Sequence, residues 1–147
     1  SDFLHPEERL VHVLQFNLIA GDTVSRLKEL VAGARGSKIL IYYGLHQQYE
    51  EGHHDGWKHM DLTHPNLKAN KMFEKGSWGP GLYEGLESCE MKPFCRNEWS
   101  TYMTCFSPFS NTDLNYQLQQ RDITNMVLTG PISETCFEST ARYAYEL

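Results

Sequence analysis

The feature that most constrains the fold is an amphipathic helix pattern followed almost at once by a short β-prone run. Apolar residues recur at helical spacing from Val24 to Ala34, with Asp22 as the expected N-cap and Gly36 as the expected C-terminal stop. The β-prone run occupies residues 39–43. Because a continuous run of this kind suits a strand covered on both faces, the order predicts a strand in a parallel sheet.

The same order recurs near the C-terminus. The pattern predicts a short helix over residues 114–120, capped by one of residues 111–113, and a buried strand over residues 126–128. Ser133 is the expected N-cap of a last helix that runs from residue 134 to about residue 147. Helices that alternate with strands in this way are typical of α/β proteins with a parallel sheet.

Length and charge limit the class of protein. A chain of 147 residues has the size of one domain, and its net charge is −6, without a basic run. That charge argues against nucleic acid or an anionic membrane as a partner. No apolar stretch approaches the ~20 residues that cross a bilayer, and the first residues do not resemble a signal peptide. We therefore expect a cytoplasmic protein.

The cysteines and histidines do not predict a metal site. The four cysteines have no C-x-x-C spacing, and we expect them to be reduced thiols. His53 and His54 could bind a metal, but adjacent side chains in a loop usually point apart, so a solvated loop is the favoured interpretation. We expect no metal and no cofactor.

Cys136 is the strongest candidate for a reactive residue. It follows the predicted strand at residues 126–128 and, with Ser133 as N-cap, would be the third residue of the last helix. Free N–H groups and the positive end of the helix dipole favour a thiolate there. Ligands of open α/β sheets also bind at the carboxyl ends of strands. On position alone, a buried structural cysteine explains the residue equally well.

Several short motifs stand in a characteristic order along the chain. Towards the C-terminus they are S-P-F-S-N-T-D-L at 107–114, V-L-T-G at 127–130, Cys136 six residues after that glycine, and S-T-A-R at 139–142. Upstream they are D-F at 2–3, A-R at 34–35, I-L-I-Y at 39–42 and G-S-W-G at 76–79. As an ordered set that covers nearly the whole chain, these motifs resemble those of the isochorismatase-like hydrolases.

The resemblance implies a doubly wound α/β fold with a mainly parallel sheet and helices on both faces. Cysteine hydrolases of this family use an Asp–Lys–Cys triad and an oxyanion hole of backbone N–H groups. Carried over to this chain, the resemblance places the nucleophile at Cys136 and the oxyanion loop at Pro131 and Ile132. It places Phe3 and Trp78 beside the substrate. Because Pro131 precedes Ile132, the isomer of the local peptide bond is left open.

The other two members of the triad do not match directly. The family's Asp lies in a strand before the D-F motif and would precede Ser1, whereas Asp2 matches a later, non-catalytic aspartate. The family's Lys lies about four residues before Ser107, where this chain has Met103, and Lys92 is the candidate if an insertion displaces it. The motif order therefore predicts one family domain over residues 1–147, trimmed at both ends.

Three functions compete at this point. The first is hydrolysis of a small amide or related compound by the Cys136 thiol. The second is a non-catalytic binding or regulatory protein of the same fold, because a thiol with the ordinary pKa of about 8.5 stays mostly protonated without a base. The third is cleavage of the vinyl ether of isochorismate, which the presence of Cys136 disfavours. The expected partner is a small-molecule substrate, and the irregular middle of the chain could form a homo-oligomer interface.

Overall fold

The computed structural model describes residues 2–4, 11–60, 63–88 and 97–147. The described elements, in chain order, are α1 Val11–Ala20, α2 Thr23–Gly36, β1 Ile41–His46, α3 Thr63–Asn70, β2 Glu98–Met103, α4 Leu114–Gln119, a π-helical segment Ser133–Phe137 and α5 Glu138–Glu146. Helices and a parallel sheet together confirm the predicted α/β class. Within the described ranges, no helix is long and apolar enough to cross a membrane.

The two strands pair in parallel over their full length. Ile41 of β1 lies opposite Glu98 of β2, and His46 lies opposite Met103 at the other end. The strand begins two residues later than the run at 39–43 suggested, and Ile39 is largely exposed. Most of β1 is half-buried, so the expectation of a strand fully covered on both faces is wrong.

Helix α2 is joined to the amino-terminal end of the sheet by an ion pair in which the carboxylate is buried and the guanidinium is partly exposed. Arg35 Nε donates to Glu98 Oε1 at 2.7 Å, and Arg35 Nη2 donates to Glu98 Oε2 at 3.2 Å. The same Nη2 donates to the carbonyl of Glu87 at 2.6 Å. Glu98 is only 3% exposed, and the positive charge of Arg35 offsets part of the free energy that its carboxylate loses when it leaves water.

The start of α2 differs from the expected cap. Asp22 precedes the helix, but its side chain makes no capping hydrogen bond and its backbone is left-handed, with φ 47°. Its N–H donates to the carbonyl of Ile19, and its own carbonyl accepts from Arg26. Asp22 therefore forms the turn between α1 and α2. At the other end α2 continues through Gly36, and Ser37 is the C-cap.

The motif at residues 107–114 builds the turn that leads into α4. Thr112 donates to the carbonyl of Pro108, and its Oγ1 accepts the N–H of Leu114 at 3.1 Å. Asp113 occupies the N-cap position without a side-chain hydrogen bond, so Thr112 supplies the capping oxygen. Three side chains of this region form the buried hydrophobic cluster, namely Phe109, Leu114 and Leu118. This part of the prediction is confirmed.

The predicted strand at residues 126–128 is wrong. Residues 123–130 are irregular, and Val127 is 88% exposed. A strand needs a neighbour to pair its N–H and C=O groups. In the described parts of the chain, only β1 and β2 pair as strands, so residues 126–128 have β-prone side chains without a strand partner.

The last helix begins in a way that the sequence did not indicate. Ile132, not Ser133, is its N-cap, and the first turn is π-helical, with the N–H of Phe137 donating to the carbonyl of Ile132 at 3.3 Å. The Ser133 hydroxyl donates to the Glu134 carboxylate instead of capping the helix. Buried Thr140 donates to the carbonyl of Cys136 at 2.5 Å and links this turn to α5.

Candidate active site

Cys136 lies half-buried in the π-helical segment and faces a histidine from the sheet. Its Sγ is 3.9 Å from Nε2 of His46, the last residue of β1. The hydroxyl of Thr135 donates to the same sulfur at 3.9 Å. Short π-helical turns occur often at functional sites because they redirect a side chain within a helix. Here the turn brings the thiol to the carboxyl end of a parallel strand.

Two phenylalanines fix the ring of His46. The imidazole stacks on Phe73 at 4.8 Å between centroids with an interplanar angle of 1°. Phe3 approaches the same imidazole at 5.4 Å and Phe73 at 5.1 Å. Burial among these rings lowers the pKa of His46 to about 4, so the imidazole is neutral at pH 7. A neutral imidazole has one N–H donor and one lone pair, so it can form a hydrogen bond with the thiol without carrying a charge.

Burial has the opposite effect on the thiol. It raises the pKa of Cys136 above the ordinary cysteine value, and the hydrogen bond from Thr135 and the backbone N–H of Cys136 oppose it only partly. The expectation that the helix start favours a thiolate is therefore not met in the resting protein. A thiol of this kind needs a base if it is to act as a nucleophile.

Asp2 ties the first residues of the chain to the loop that follows α3. Its Oδ2 accepts the N–H of Phe73 at 2.7 Å, and its own N–H donates to the carbonyl of Gly79 at 3.0 Å. A Cβ atom at Gly79 would lie 2.5 Å from Asp2 Oδ1, so the Asp2 carboxylate would have to move if any other residue stood there. The D-F and G-S-W-G motifs thus meet in space, and Asp2 has a structural part in placing Phe3 and Phe73 around His46.

Phe3 and Trp78, the residues expected to contact the substrate, differ in how directly the structure connects them to Cys136. Phe3 packs against His46, which in turn contacts Cys136. Trp78 is 51% exposed and precedes Gly79, the residue bonded to Asp2. The structure therefore brings Phe3 to the thiol through a shared neighbour, and it places Trp78 in the adjoining loop. Their contact with a substrate stays a prediction.

The expected oxyanion loop leads directly into the turn that carries Cys136. Pro131 and Ile132 are half-buried, and Ile132 has extended backbone angles of φ −125° and ψ 100°. Across the residues described, every peptide bond is trans. Proline has no N–H, so the N–H groups of Ile132 and Cys136 are the backbone donors that this loop can offer.

Lys92 lies outside the described residues, as do Cys89 and Cys95. At the position where the family pattern expects a lysine, Met103 ends β2 and is 5% exposed. The two cysteines within the described ranges, Cys105 and Cys136, are free thiols.

A second group of aromatic and histidine side chains lies beside the first. His53 and His54 do not point apart, because their rings stack at 5.3 Å with an interplanar angle of 11°. His54 is 6% exposed and meets Trp57 at 4.8 Å and His64 at 5.1 Å, both edge-on. The solvated loop predicted here is wrong for His54, since Trp57 and α3 cover it. No metal-binding group of three or more side chains occurs within the described ranges.

Sequence reasoning missed His46. The β-prone run was assigned to residues 39–43, and the histidine that ends the actual strand fell outside it. A usable signal existed, because a polar ring at the carboxyl end of a parallel strand occupies the edge where α/β proteins bind ligands. The contact with Cys136 joins residues 90 positions apart, which no local pattern indicates.

Comparison with known proteins extends these observations. The sequence model of a family described as the isochorismatase domain matches residues 19–147. The ureidoacrylate amidohydrolase RutB of Variovorax paradoxus is 30% identical over 139 residues, which is 87% of this chain and 52% of the relative. The protein of the same name from Caulobacter segnis is 27% identical over 139 residues, 87% of this chain and 55% of the relative. The chain thus spans about half the length of these curated relatives.

Solved structures show the same fold. A pyrazinamidase/nicotinamidase from Streptococcus mutans UA159 superposes with a TM-score of 0.72 at 23% identity, over 99% of this chain and 74% of that one. The nicotinamidase PncA from Bacillus subtilis superposes with a TM-score of 0.65 at 21% identity, over 84% of this chain and 64% of that one. These superpositions confirm the predicted fold. The family match over most of its length shows that this chain belongs to the isochorismatase family of hydrolases.

Proposed function

We propose that this protein hydrolyses a small amide or a related carbonyl compound, with the Cys136 thiol as the nucleophile. The observation that carries the proposal is the approach of Cys136 Sγ to within 3.9 Å of His46 Nε2 at the carboxyl end of β1. This contact places the thiol at the carboxyl end of a parallel strand, the edge at which α/β proteins bind their ligands. The relatives named as amidohydrolases support an amide as the substrate class.

The reaction begins with attack of sulfur on the carbonyl carbon. The oxygen of the resulting tetrahedral intermediate carries the negative charge, and the N–H groups of Ile132 and Cys136 are the donors proposed to stabilise it. Departure of the amine leaves a thioester on Cys136, which water then hydrolyses to an acid and the free thiol. Lys92 remains the candidate for supporting charge at the site.

The surroundings of the thiol favour a small, flat substrate. Phe3 is half-buried against His46, and the loop that holds Trp78 is joined to the segment that carries Phe3 through the Asp2–Gly79 hydrogen bond. Aromatic side chains pack well against planar groups, and such contacts orient a ligand more than they attract it. A planar amide, conjugated or carried on a ring, therefore fits this site better than a long aliphatic chain.

The test compares the wild-type protein with Cys136→Ala on ureidoacrylate, nicotinamide and isochorismate, following substrate loss by chromatography. We expect one of the two amides to be hydrolysed and Cys136→Ala to lower the rate at least about a thousand-fold, because removal of a nucleophile abolishes the covalent route. Cys105→Ala is the matched control and should keep the wild-type rate, since Cys105 is the other free thiol of the described residues. Full hydrolysis by Cys136→Ala would refute the proposed nucleophile.

One observation favours a second function, that of a non-catalytic binding protein. Burial raises the pKa of Cys136, so the resting thiol is protonated and unreactive unless its proton is removed. Under this alternative, calorimetry would detect binding of a small amide by the wild-type protein and equally by Cys136→Ala, without turnover.

A cytoplasmic location and self-association also stay predictions. Cell fractionation would check the first, and sedimentation would check the second.

A further inference from the structure

We propose that Thr135 is a positioning residue for Cys136, whose hydroxyl holds the sulfur by a hydrogen bond and stabilises the thiolate when it forms. The inference deepens the proposed function and rests on it for the hydrolytic step. Thr135 keeps its own proton throughout, so it assists the thiol as a hydrogen-bond donor and not as a base. The experiments below separate this contact from the hydrolysis itself.

The hydroxyl of Thr135 is turned towards the sulfur and not towards the helix backbone. Its Oγ1 donates to Cys136 Sγ at 3.9 Å, within the reach of a hydrogen bond to sulfur. Thr140, five residues further along, makes the usual bond of a helical threonine and donates to the carbonyl four residues before it. Consecutive side chains of a helix do not normally face each other, so both residues adopt rotamers that bring them together. Thr135 therefore holds the thiol in one orientation.

The chemistry of the contact favours the ionised form of the sulfur. Burial raises the pKa of Cys136, and the hydroxyl of Thr135 acts in the opposite direction. A hydrogen bond to an ionised acceptor is roughly twice as strong as one to a neutral acceptor. The bond from Thr135 therefore stabilises the thiolate more than the thiol.

The other polar groups around the sulfur are neutral or engaged elsewhere. Nε2 of His46, from β1, lies 3.9 Å from the sulfur, and its imidazole is neutral at pH 7. On the last helix, Glu134 accepts the hydroxyl of Ser133 at 2.6 Å, and Glu138 accepts the guanidinium of Arg142 at 2.7 Å. Within the described ranges, Thr135 is thus the side chain that donates to the sulfur from its own helix.

The exposed position of Thr135 makes its effect on the thiol separable from protein stability. Its side chain lies at the surface of the π-helical segment. Removal of an exposed hydroxyl leaves no buried polar group without a partner, and substitutions at such positions usually change stability little. Variants of Thr135 should therefore fold and report on Cys136 itself.

The direct test measures the pKa of Cys136 by its alkylation with iodoacetamide, followed by peptide mass spectrometry between about pH 6 and pH 11, since the thiolate is the reacting form. We expect Thr135→Val, which keeps the shape of the side chain, to raise the midpoint by about 0.5–1 pH unit. Alkylation at pH 7 should then be about three- to ten-fold slower. Thr135→Ala should show the same shift, whereas Thr135→Ser keeps the hydroxyl and should stay near the wild-type profile.

The matched control is Thr104→Val. Thr104 and Cys105 form the other threonine–cysteine pair of the chain, with 3.8 Å between Oγ1 and Sγ. Thr104→Val should leave the profile of Cys136 unchanged. An unchanged midpoint in Thr135→Val and Thr135→Ala would refute the role of Thr135. A rate that falls equally at every pH would also refute it, because a displaced helix slows alkylation without changing the pKa.

The hydrolytic step is tested with the amide that the wild-type protein hydrolyses. Thr135→Val should lower kcat/KM about three- to ten-fold at pH 7, with KM nearly unchanged, and Thr135→Ser should restore it. If Cys136→Ala abolishes hydrolysis while Thr135→Val keeps the wild-type rate and pH profile, the role of Thr135 is refuted and the proposed function stands. If Cys136→Ala keeps full hydrolysis but the alkylation midpoint moves in Thr135→Val, the proposed nucleophile fails and the contact between Thr135 and the thiol stands.

Discussion

The two ends of the β1–β2 pair hold their surroundings together by different chemistry. At the amino-terminal end, Glu98 is buried and charged, and Arg35 binds it through two hydrogen bonds. At the carboxyl end, His46 is half-buried and neutral, stacks on the ring of Phe73, and has its Nε2 near the thiol of Cys136. The first end pairs two charged groups and thereby fixes α2 on the sheet. The second end places a neutral imidazole next to a thiol, the reactive group of the proposed function.

The largest effect is expected at the charged end. Arg35→Ala removes both hydrogen bonds that the guanidinium donates to the buried Glu98 carboxylate, and we expect a loss of about 3–5 kcal/mol in the free energy of unfolding, measured by urea denaturation. The matched control is Arg142→Ala, because Arg142 pairs with Glu138 on an exposed face of α5 at 2.7 Å. That exposed pair should contribute less than about 0.5 kcal/mol.

If Arg35→Ala and Arg142→Ala lowered the unfolding free energy equally, the buried carboxylate at the amino-terminal end would have no special effect on stability. Arg35→Ala also tests whether the two ends are independent, since Arg35 lies at the end of the sheet away from Cys136. At temperatures where Arg35→Ala remains folded, its Cys136 should alkylate with the wild-type pH dependence. A changed profile would mean that the two ends are not independent.

The next effect is acid sensitivity at the neutral end. The unfolded chain binds a proton at His46 near the ordinary pKa of 6.5, whereas the folded protein does so only near pH 4. The stability that this difference contributes is therefore complete above pH 6.5 and is lost as the pH falls to 4. We expect the unfolding free energy of the wild-type protein to fall by about 3 kcal/mol more than that of His46→Phe between pH 7 and pH 4.

The measurement is a series of urea denaturation curves at pH 4, 5, 6 and 7 for both proteins. His59→Phe should show the wild-type dependence, because the His59 side chain is exposed in the folded protein. Parallel curves for the wild-type protein and His46→Phe would show that the imidazole at the carboxyl end is not desolvated, and the contrast between the two ends would then be lost.

The sequence predicts those features of the sheet that depend on adjacent residues and fails for those that depend on distant ones. The periodicity of α2 and the run before β1 are local, and they indicated a helix followed by a parallel strand. Residues 126–128 have the same kind of local signal but no strand to pair with, and pairing is a property of the whole fold rather than of a segment. Local propensity therefore predicted one strand correctly and another wrongly.

The candidate site divides in the same way. The sequence predicts Cys136 as a site residue because its motif neighbours are close in the sequence. His46 is 90 residues away, and only the fold brings it next to Cys136. Ser133 has the right side chain for an N-cap, but its hydroxyl donates to the Glu134 carboxylate and Ile132 occupies the N-cap position. No sequence pattern indicates the π-helical turn that follows. Burial then reversed the expected effect on the thiol, since desolvation depends on neighbours that the sequence does not list.

The smallest effect concerns the support of the carboxyl end. Gly79→Ala places a Cβ atom 2.5 Å from Asp2 Oδ1, and the carboxylate that would have to move also accepts the N–H of Phe73, the residue stacked on His46. We expect a loss of about 1–3 kcal/mol in unfolding free energy together with a changed alkylation rate of Cys136, because the ring stacked on His46, the neighbour of the thiol, shifts. Gly33→Ala, with no atom near its new methyl group in α2, should instead gain up to about 1 kcal/mol.

A double variant identifies the cause. In Asp2→Ala the carboxylate is gone and the Phe73 N–H loses its acceptor, so this variant is itself destabilised by about 1–3 kcal/mol. Adding Gly79→Ala should then cost almost nothing, because the atom that the methyl group would strike is absent. Costs that add fully would mean that the two residues act independently. In that case the D-F and G-S-W-G segments would not jointly hold the aromatic rings around His46, and the carboxyl end would depend on stacking alone.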